Sequence, residues 1–291
     1  MNKIILPSIK KVMLPDKSFL GKNILVTGGG SGLGQSIATT YSKLGANVTI
    51  VSRNLEKLQN TAEEITKNSG NKVNIHSLDV SSHEQVNDLC KRLSTDKNFP
   101  NIVINNAAGN FLCPTEKLSY NAWNRILDIV LKGTIDMTLT FGKEMISRNE
   151  PGSFINISTT YAKTGSAFVL PSAIAKAGCD NLVKSLATEW GKYGIRINAV
   201  APGPIYTEGA FSRLDPTGDF EKMVKNSLPT GRLGEKEELS NIITYLGSDY
   251  ANWITGQIIN FDGGEVVGNS GEFNKLLSLT DEQWKMLMKK K

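Results

Sequence analysis

The chain has 291 residues, 40% hydrophobic and 21% charged, with 27 glycines and 10 prolines spread along it. That composition excludes a disordered, collagen-like or coiled-coil protein and is sufficient for one sizeable α/β core. The net charge of +5, from 33 basic and 28 acidic residues, suits an anionic small molecule but is too mild and dispersed for a nucleic-acid partner.

Residues 1–20 carry Lys3, Lys10 and Lys11 with no acid before Asp16, and Pro7 and Pro15 interrupt them. They read either as a weak organelle-targeting leader or as a basic arm leading into the fold. From residue 22 onward, apolar runs alternate with helical periodicities. A strand is predicted over Asn23 to Val26, a helix over Gly34 to Leu44 and a strand over Asn47 to Val51. Asn54 is placed to cap a helix that carries Leu55, Leu58, Ala62 and Ile65. Then come a strand over Val73 to Leu78, a helix over Glu84 to Leu93, a strand over Asn101 to Ile104 and a long helix from about Asn121 to Ser147. A strand over Ser153 to Ile157 leads to a helix from about Ser172 to Tyr193, and a strand over Ile195 to Val200 follows.

Thr207 to Arg232, rich in Gly, Pro, Ser and charge, interrupts the alternation and is placed to cover a ligand. A helix near Glu237 to Leu246 and a strand over Gln257 to Phe261 come next, and the tail from Glu265 ends in a short helix with a Thr280/Gln283 capping box. Strand and helix alternating at this pitch imply right-handed βαβ units, hence a doubly wound Rossmann-type fold. We expect one seven-stranded parallel sheet and one domain over residues 21–291. No apolar run approaches the roughly 18 residues of a membrane span. The chain ends in three lysines, so a peroxisomal address of the Ser-Lys-Leu kind is not expected.

Three cysteines, Cys90, Cys113 and Cys179, include no CxxC pair, and the two histidines, His76 and His83, lack metal-binding spacing. Neither a disulfide framework nor a metal site is expected. The first strand runs into Thr27-Gly28-Gly29-Gly30-Ser31-Gly32-Leu33-Gly34 and then a helix. Glycines there let backbone N–H groups approach a pyrophosphate while the helix presents its positive end. The second strand ends Ser52-Arg53-Asn54, with an arginine and no acid. Arg53, with Ser52 as an added donor, suits a 2′-phosphate, so the expected cofactor is NADPH. Asp79 is placed to accept from the adenine amino group, and Asn106 and Ala107 lie where backbone passes close to the cofactor.

The order and spacing of Thr27 to Gly34, Asp79, Asn105 to Gly109, Lys176 and Pro202-Gly203 resemble the short-chain dehydrogenase/reductase family over nearly the whole chain. That family's Tyr-x-x-x-Lys signature is altered, because Ser172 stands four residues before Lys176. An aliphatic hydroxyl is far less acidic than a phenol (about 10) and cannot inherit its acid role. Lys132 stands where the long helix of the family supplies an asparagine. Tyr161, eleven residues before Ser172, together with Asn110 and Phe111, resembles the mitochondrial-type 2,4-dienoyl-CoA reductases, as do Phe211 to Thr217 and Ser270 to Asn274.

That resemblance implies NADPH-dependent reduction of a 2,4-dienoyl-CoA to a 3-enoyl-CoA through a dienolate, in β-oxidation of unsaturated fatty acids. Tyr161 and Asn110 are then the donors to the thioester oxygen, with Tyr161 a proton source and Ser172 assisting by hydrogen bonding; Ser172 also reads as a helix cap after Pro171. Lys176 holds the nicotinamide ribose, and Pro202, Gly203, Pro204 and Ile205 give backbone contacts to the carboxamide. Phe111, Ser119 and Arg213 contact the acyl-CoA. A homotetramer and a mitochondrial location are implied by analogy, with a cytoplasmic location as the alternative. A 3-ketoacyl-CoA or acyl-carrier-protein reductase and a non-catalytic NADPH-binding subunit remain the competing readings.

Overall fold

A computed structural model describes residues 5–96, 98–207 and 219–289. Its first half runs β1 (Asn23–Thr27), α1 (Gly32–Lys43), β2 (Asn47–Ser52), α2 (Leu55–Ser69), β3 (Val73–Ser77), α3 (His83–Thr95) and β4 (Ile102–Asn105). One long helical run follows, made of α4 (Tyr120–Ile126), a π-helical stretch Leu127–Lys132 and α5 (Gly133–Ser147). Then come β5 (Gly152–Ile157), the short α6 (Tyr161–Thr164), α7 (Leu170–Trp190) and β6 (Ile195–Pro202). The chain closes with α8 (Asp219–Ser227), α9 (Lys236–Gly247), β7 (Ile258–Phe261), α10 (Glu265–Ser270) and α11 (Asp281–Met288).

The seven strands are all parallel, in the order β3-β2-β1-β4-β5-β6-β7. Both faces are covered, which explains why the strands read as unbroken apolar runs. Ile24 and Val26 of β1 pack with Ile37 and Tyr41 of α1 and Leu239 and Ile243 of α9 on one face. Leu25, between them, packs on the other with Leu89 of α3, Phe141 of α5 and Val183 and Trp190 of α7. Strand order reverses between β1 and β4, so the connections leaving their C-terminal ends diverge to opposite faces and leave a crevice, the usual ligand position of such sheets.

Local signals set the element ends. Asn54 accepts a bond from the Lys57 N–H at 2.8 Å, and Gly70 ends α2 in the left-handed region. The Thr280/Gln283 capping box forms as expected. α7 starts at Leu170, two residues before the predicted start, because Pro171 is tolerated in a first helical turn. Ser172 is therefore not the helix cap.

The π-helical stretch was not legible as a period change. Lys132, at the end of that stretch, is exposed. Its ammonium pairs with Asp128 at 2.5 Å on the surface, whereas Val130 is the buried residue of this turn. Residues 5–14 lie along α9 as an arm: Asn241 accepts from the Met13 N–H at 3.0 Å and donates to the Lys11 carbonyl at 2.9 Å, and Arg232 donates to the Leu6 carbonyl at 2.8 Å.

α5 meets α7 at Gly142, where an added Cβ would run into the ring of Trp190. Gly142→Ala is expected to destabilise the fold by about 1–3 kcal/mol through overpacking. A thermal melt checks this, and an unchanged midpoint would mean that the helices separate freely there.

Candidate active site

The turn after β1 is braced against the end of β4. Thr27, fully buried, accepts the N–H groups of Asn106 and Ala107 on its hydroxyl, both at 2.9 Å, and donates to the Ile104 carbonyl at 3.2 Å. Asn106 returns its side-chain amide to the carbonyls of Thr27 and Gly28, at 2.9 and 3.3 Å. Gly28 has φ +65°, and a Cβ on Gly34 would collide with the Gly28 carbonyl oxygen. Ser31 precedes α1 without a side-chain cap bond, so the first N–H groups of α1 are left for a ligand.

A cleft of about 1330 Å³ opens there and runs along the C-terminal edge of the sheet. One end is lined by Gly30, Ser31, Ser52, Arg53 and Asp79. Asp79 uses one carboxylate oxygen on the N–H and hydroxyl of Ser81, leaving the other open. Lys57 lines the same end, a residue not singled out from sequence. It lies four positions after Arg53, one turn into a helix whose cap was legible, which was the available signal. Among the described residues, neither Arg53 nor Lys57 is in an ion pair. Two unpaired cations beside the Ser52 hydroxyl, with exposed helix N–H groups below, fit a dinucleotide that carries a phosphate on its ribose.

Toward the other end the cleft is lined by Asn110, Ile157, Thr159, Tyr161, Ser172 and Gly203. Tyr161 starts α6 on the turn after β5, and its phenol lies 3.2 Å from the hydroxyl of buried Ser172. Asn110 accepts the Phe111 N–H at 2.9 Å on its side-chain oxygen. The carbonyl end being used locally, the amino group of Asn110 remains as a donor to a ligand. Cleft, phenol and amide together make a place for a developing oxyanion.

Lys176, four residues after Ser172, does not line the cleft. It is buried, and its ammonium donates to the Ile157 carbonyl. Burial pushes its pKa below the usual lysine range, against the pull of Cys179 and Asp180. It thus lies beneath the strand end that leads into Ser158 to Tyr161.

The other expected contacts divide. Gly32, Leu33, Ala107, Pro202 and Ile205 line the cleft, whereas Gly29 packs beneath it against Ile50 and Pro204 lines a neighbouring small pocket. Ser119 spends its hydroxyl on the Ala122 N–H as the cap of α4, and Phe111 is exposed on the loop after β4. Arg213 and the Phe211 to Thr217 stretch lie outside the described residues; later in the same insertion α8 begins at Asp219.

The family model described as enoyl-(acyl carrier protein) reductase matches residues 28–265. A Caenorhabditis elegans protein named as a probable 2,4-dienoyl-CoA reductase, (3E)-enoyl-CoA-producing, is 44% identical over 92% of this chain and 88% of its own length. A Bacillus subtilis protein named as a probable 2,4-dienoyl-CoA reductase, (2E)-enoyl-CoA-producing, is 40% identical over 84% of this chain and 96% of its own. Among solved structures, a short chain dehydrogenase from Bacillus anthracis superposes with a TM-score of 0.77 at 40% identity, covering 84% of this chain and 97% of that one.

Proposed function

The chain belongs to the short-chain dehydrogenase/reductase family and is an oxidoreductase, and from that premise we propose that it reduces 2,4-dienoyl-CoA thioesters to 3-enoyl-CoA with NADPH. The observation that carries this reading is the phenol of Tyr161 held on Ser172, in the same cleft as the free amino group of Asn110. For a ketone, the carbon that takes the hydride bears the reactive oxygen. For a dienoyl thioester that oxygen is several bonds away, and a phenol moved from the helix to the preceding turn suits the longer span.

NADPH, when bound, supplies the hydride, which adds to C5 of the dienoyl chain. The electron pair of the C4–C5 π bond moves through the conjugated system to the thioester oxygen, giving a dienolate. Tyr161 and Asn110 donate to that oxygen and stabilise its charge more than that of the ground-state carbonyl. Ser172 fixes the phenol, and Lys176 adds positive potential from below. A proton from Tyr161 to C2, the carbon next to the one it is bonded over, leaves the C3–C4 double bond and a 3-enoyl product. Arg53, Lys57 and Ser52 favour NADPH over NADH by binding the 2′-phosphate. A role in β-oxidation of unsaturated acyl chains, a mitochondrial location and a homotetrameric state are carried over from the same resemblance.

The test follows NADPH consumption with 2,4-hexadienoyl-CoA and, separately, with acetoacetyl-CoA. Oxidation with the dienoyl ester and a 3-enoyl product is expected. Turnover of the ketoester alone would overturn the reading in favour of a 3-ketoacyl reductase. Cofactor binding without turnover of either would leave a non-catalytic subunit. A 2-enoyl product would move the protonation from C2 to C4 and displace Tyr161 as its source.

A further inference from the structure

The tail after β7 returns to the cleft. Glu265, the first residue of α10, accepts the Thr160 hydroxyl at 3.1 Å across 105 residues of chain. The same carboxylate oxygen lies 3.0 Å from where a Cβ on Gly203 would sit, so it rests against the Gly203 backbone. Thr160 immediately precedes Tyr161, and Gly203 lines the cleft beside Pro202 and Ile205. One carboxylate thus lies against two backbone segments that line the cleft, the one at Gly203 and the turn from Thr159 to Tyr161. It is half-buried, and no described salt bridge neutralises it.

We propose that Glu265 is an electrostatic positioning residue: it anchors the turn that carries Tyr161 and makes the cleft prefer a positively charged nicotinamide ring to a neutral one. The inference rests on the reading of the cleft as an NADP(H) site. When a hydride leaves with its electron pair, the ring it leaves gains one positive charge, and a fixed negative group against the cleft wall stabilises that charge as it develops. The oxidised cofactor is the product form of that charge, so the preference is measurable without any acyl substrate.

Burial, with Asp262 on the same turn, raises the Glu265 pKa above the usual carboxylate range, opposed by the Thr160 bond. The carboxylate is therefore the form present at higher pH, and the preference grows as pH rises through that pKa. Asp262 itself is held by the N–H groups of Gly264 and Val266. From other segments, the described groups facing this turn are Thr160, the Gly203 backbone, and Pro229 and Thr230 against Gly264 and Gly263, with the mutually paired Arg232 and Glu238 lining the small pocket beside Asp262 and Gly263.

The experiment measures Kd for NADP+ and for NADPH by titration calorimetry or fluorescence, in the wild type and in Glu265→Gln, at about pH 8. Glutamine keeps an acceptor for Thr160 while removing the charge. The ratio Kd(NADPH)/Kd(NADP+) is expected to fall by about fivefold or more in the variant. An equal change in both constants, or none, overturns the proposal and leaves the cofactor reading intact. Binding of neither dinucleotide by the wild type overturns both. Should the variant fail to fold, the wild-type ratio decides: it is expected to drop between about pH 8 and about pH 5. The 2′-phosphate titrates in both cofactors and cancels from the ratio, so a flat profile refutes the role.

Discussion

Tyr161→Phe is expected to lower kcat with 2,4-hexadienoyl-CoA by about two to three orders of magnitude, the usual consequence of removing one oxyanion donor. Kd for NADPH should stay within about twofold, because on the proposed reading the phenol meets the acyl group while Ser52, Arg53 and Lys57 meet the phosphate. The substitution removes one oxygen that bonds to Ser172 on an otherwise unchanged turn, so the ring packing survives. Stopped-flow single turnover with a parallel cofactor titration separates the two quantities. Loss of cofactor affinity in proportion to kcat would assign Tyr161 a folding role. Retention of full kcat would remove the phenol from the mechanism, leaving the Ser172 hydroxyl with no acidic partner.

Arg53→Ala is expected to raise Kd for NADPH by about tenfold to a hundredfold, the worth of a charge-assisted bond to phosphate. Kd for NADH should change by less than about twofold, because that cofactor lacks the group being bound. Arg53 is exposed and makes no ion pair among the described residues, so its removal leaves no orphaned partner and little change in stability. Lys57→Ala should weaken NADPH in the same sense, and the double variant should approach equal affinity for the two dinucleotides. Equilibrium titrations of both cofactors check this. An unchanged preference in the double variant would place the 2′-phosphate elsewhere.

The strands and most helices of this protein were legible because each is announced locally. Apolar runs of strand length, the Asn54 cap, the Gly70 stop and the Thr280/Gln283 box act within a few residues of the structure that they determine. The glycine-rich turn was legible for the same reason, since its glycines lie together within residues 28 to 34, although Asn106, Ala107 and Ile50 supply the close approaches to it. Tyr161 and Ser172 were also found in sequence, but as two departures from a family pattern. That they share a hydrogen bond emerged from the fold, because α6 and the start of α7 turn back on one another.

What the sequence determined by itself is the strands and most of the helices, their alternation, and the chemical inventory after the strand ends: glycines, Arg53, Asn110, Tyr161, and Lys176 on the helix that follows. These depend on backbone sterics, hydrophobic period and capping, all of short range. Only the tertiary structure decided which groups face one ligand. It sank Lys176 onto the Ile157 carbonyl, brought the Tyr161 phenol to the Ser172 hydroxyl, and carried Glu265 across the sheet edge to Thr160. The physical reason is that a side chain's partner is set by the order in which strands dock and by where each helix ends. Those relations join residues from 11 to 105 positions apart, and no local pattern records them.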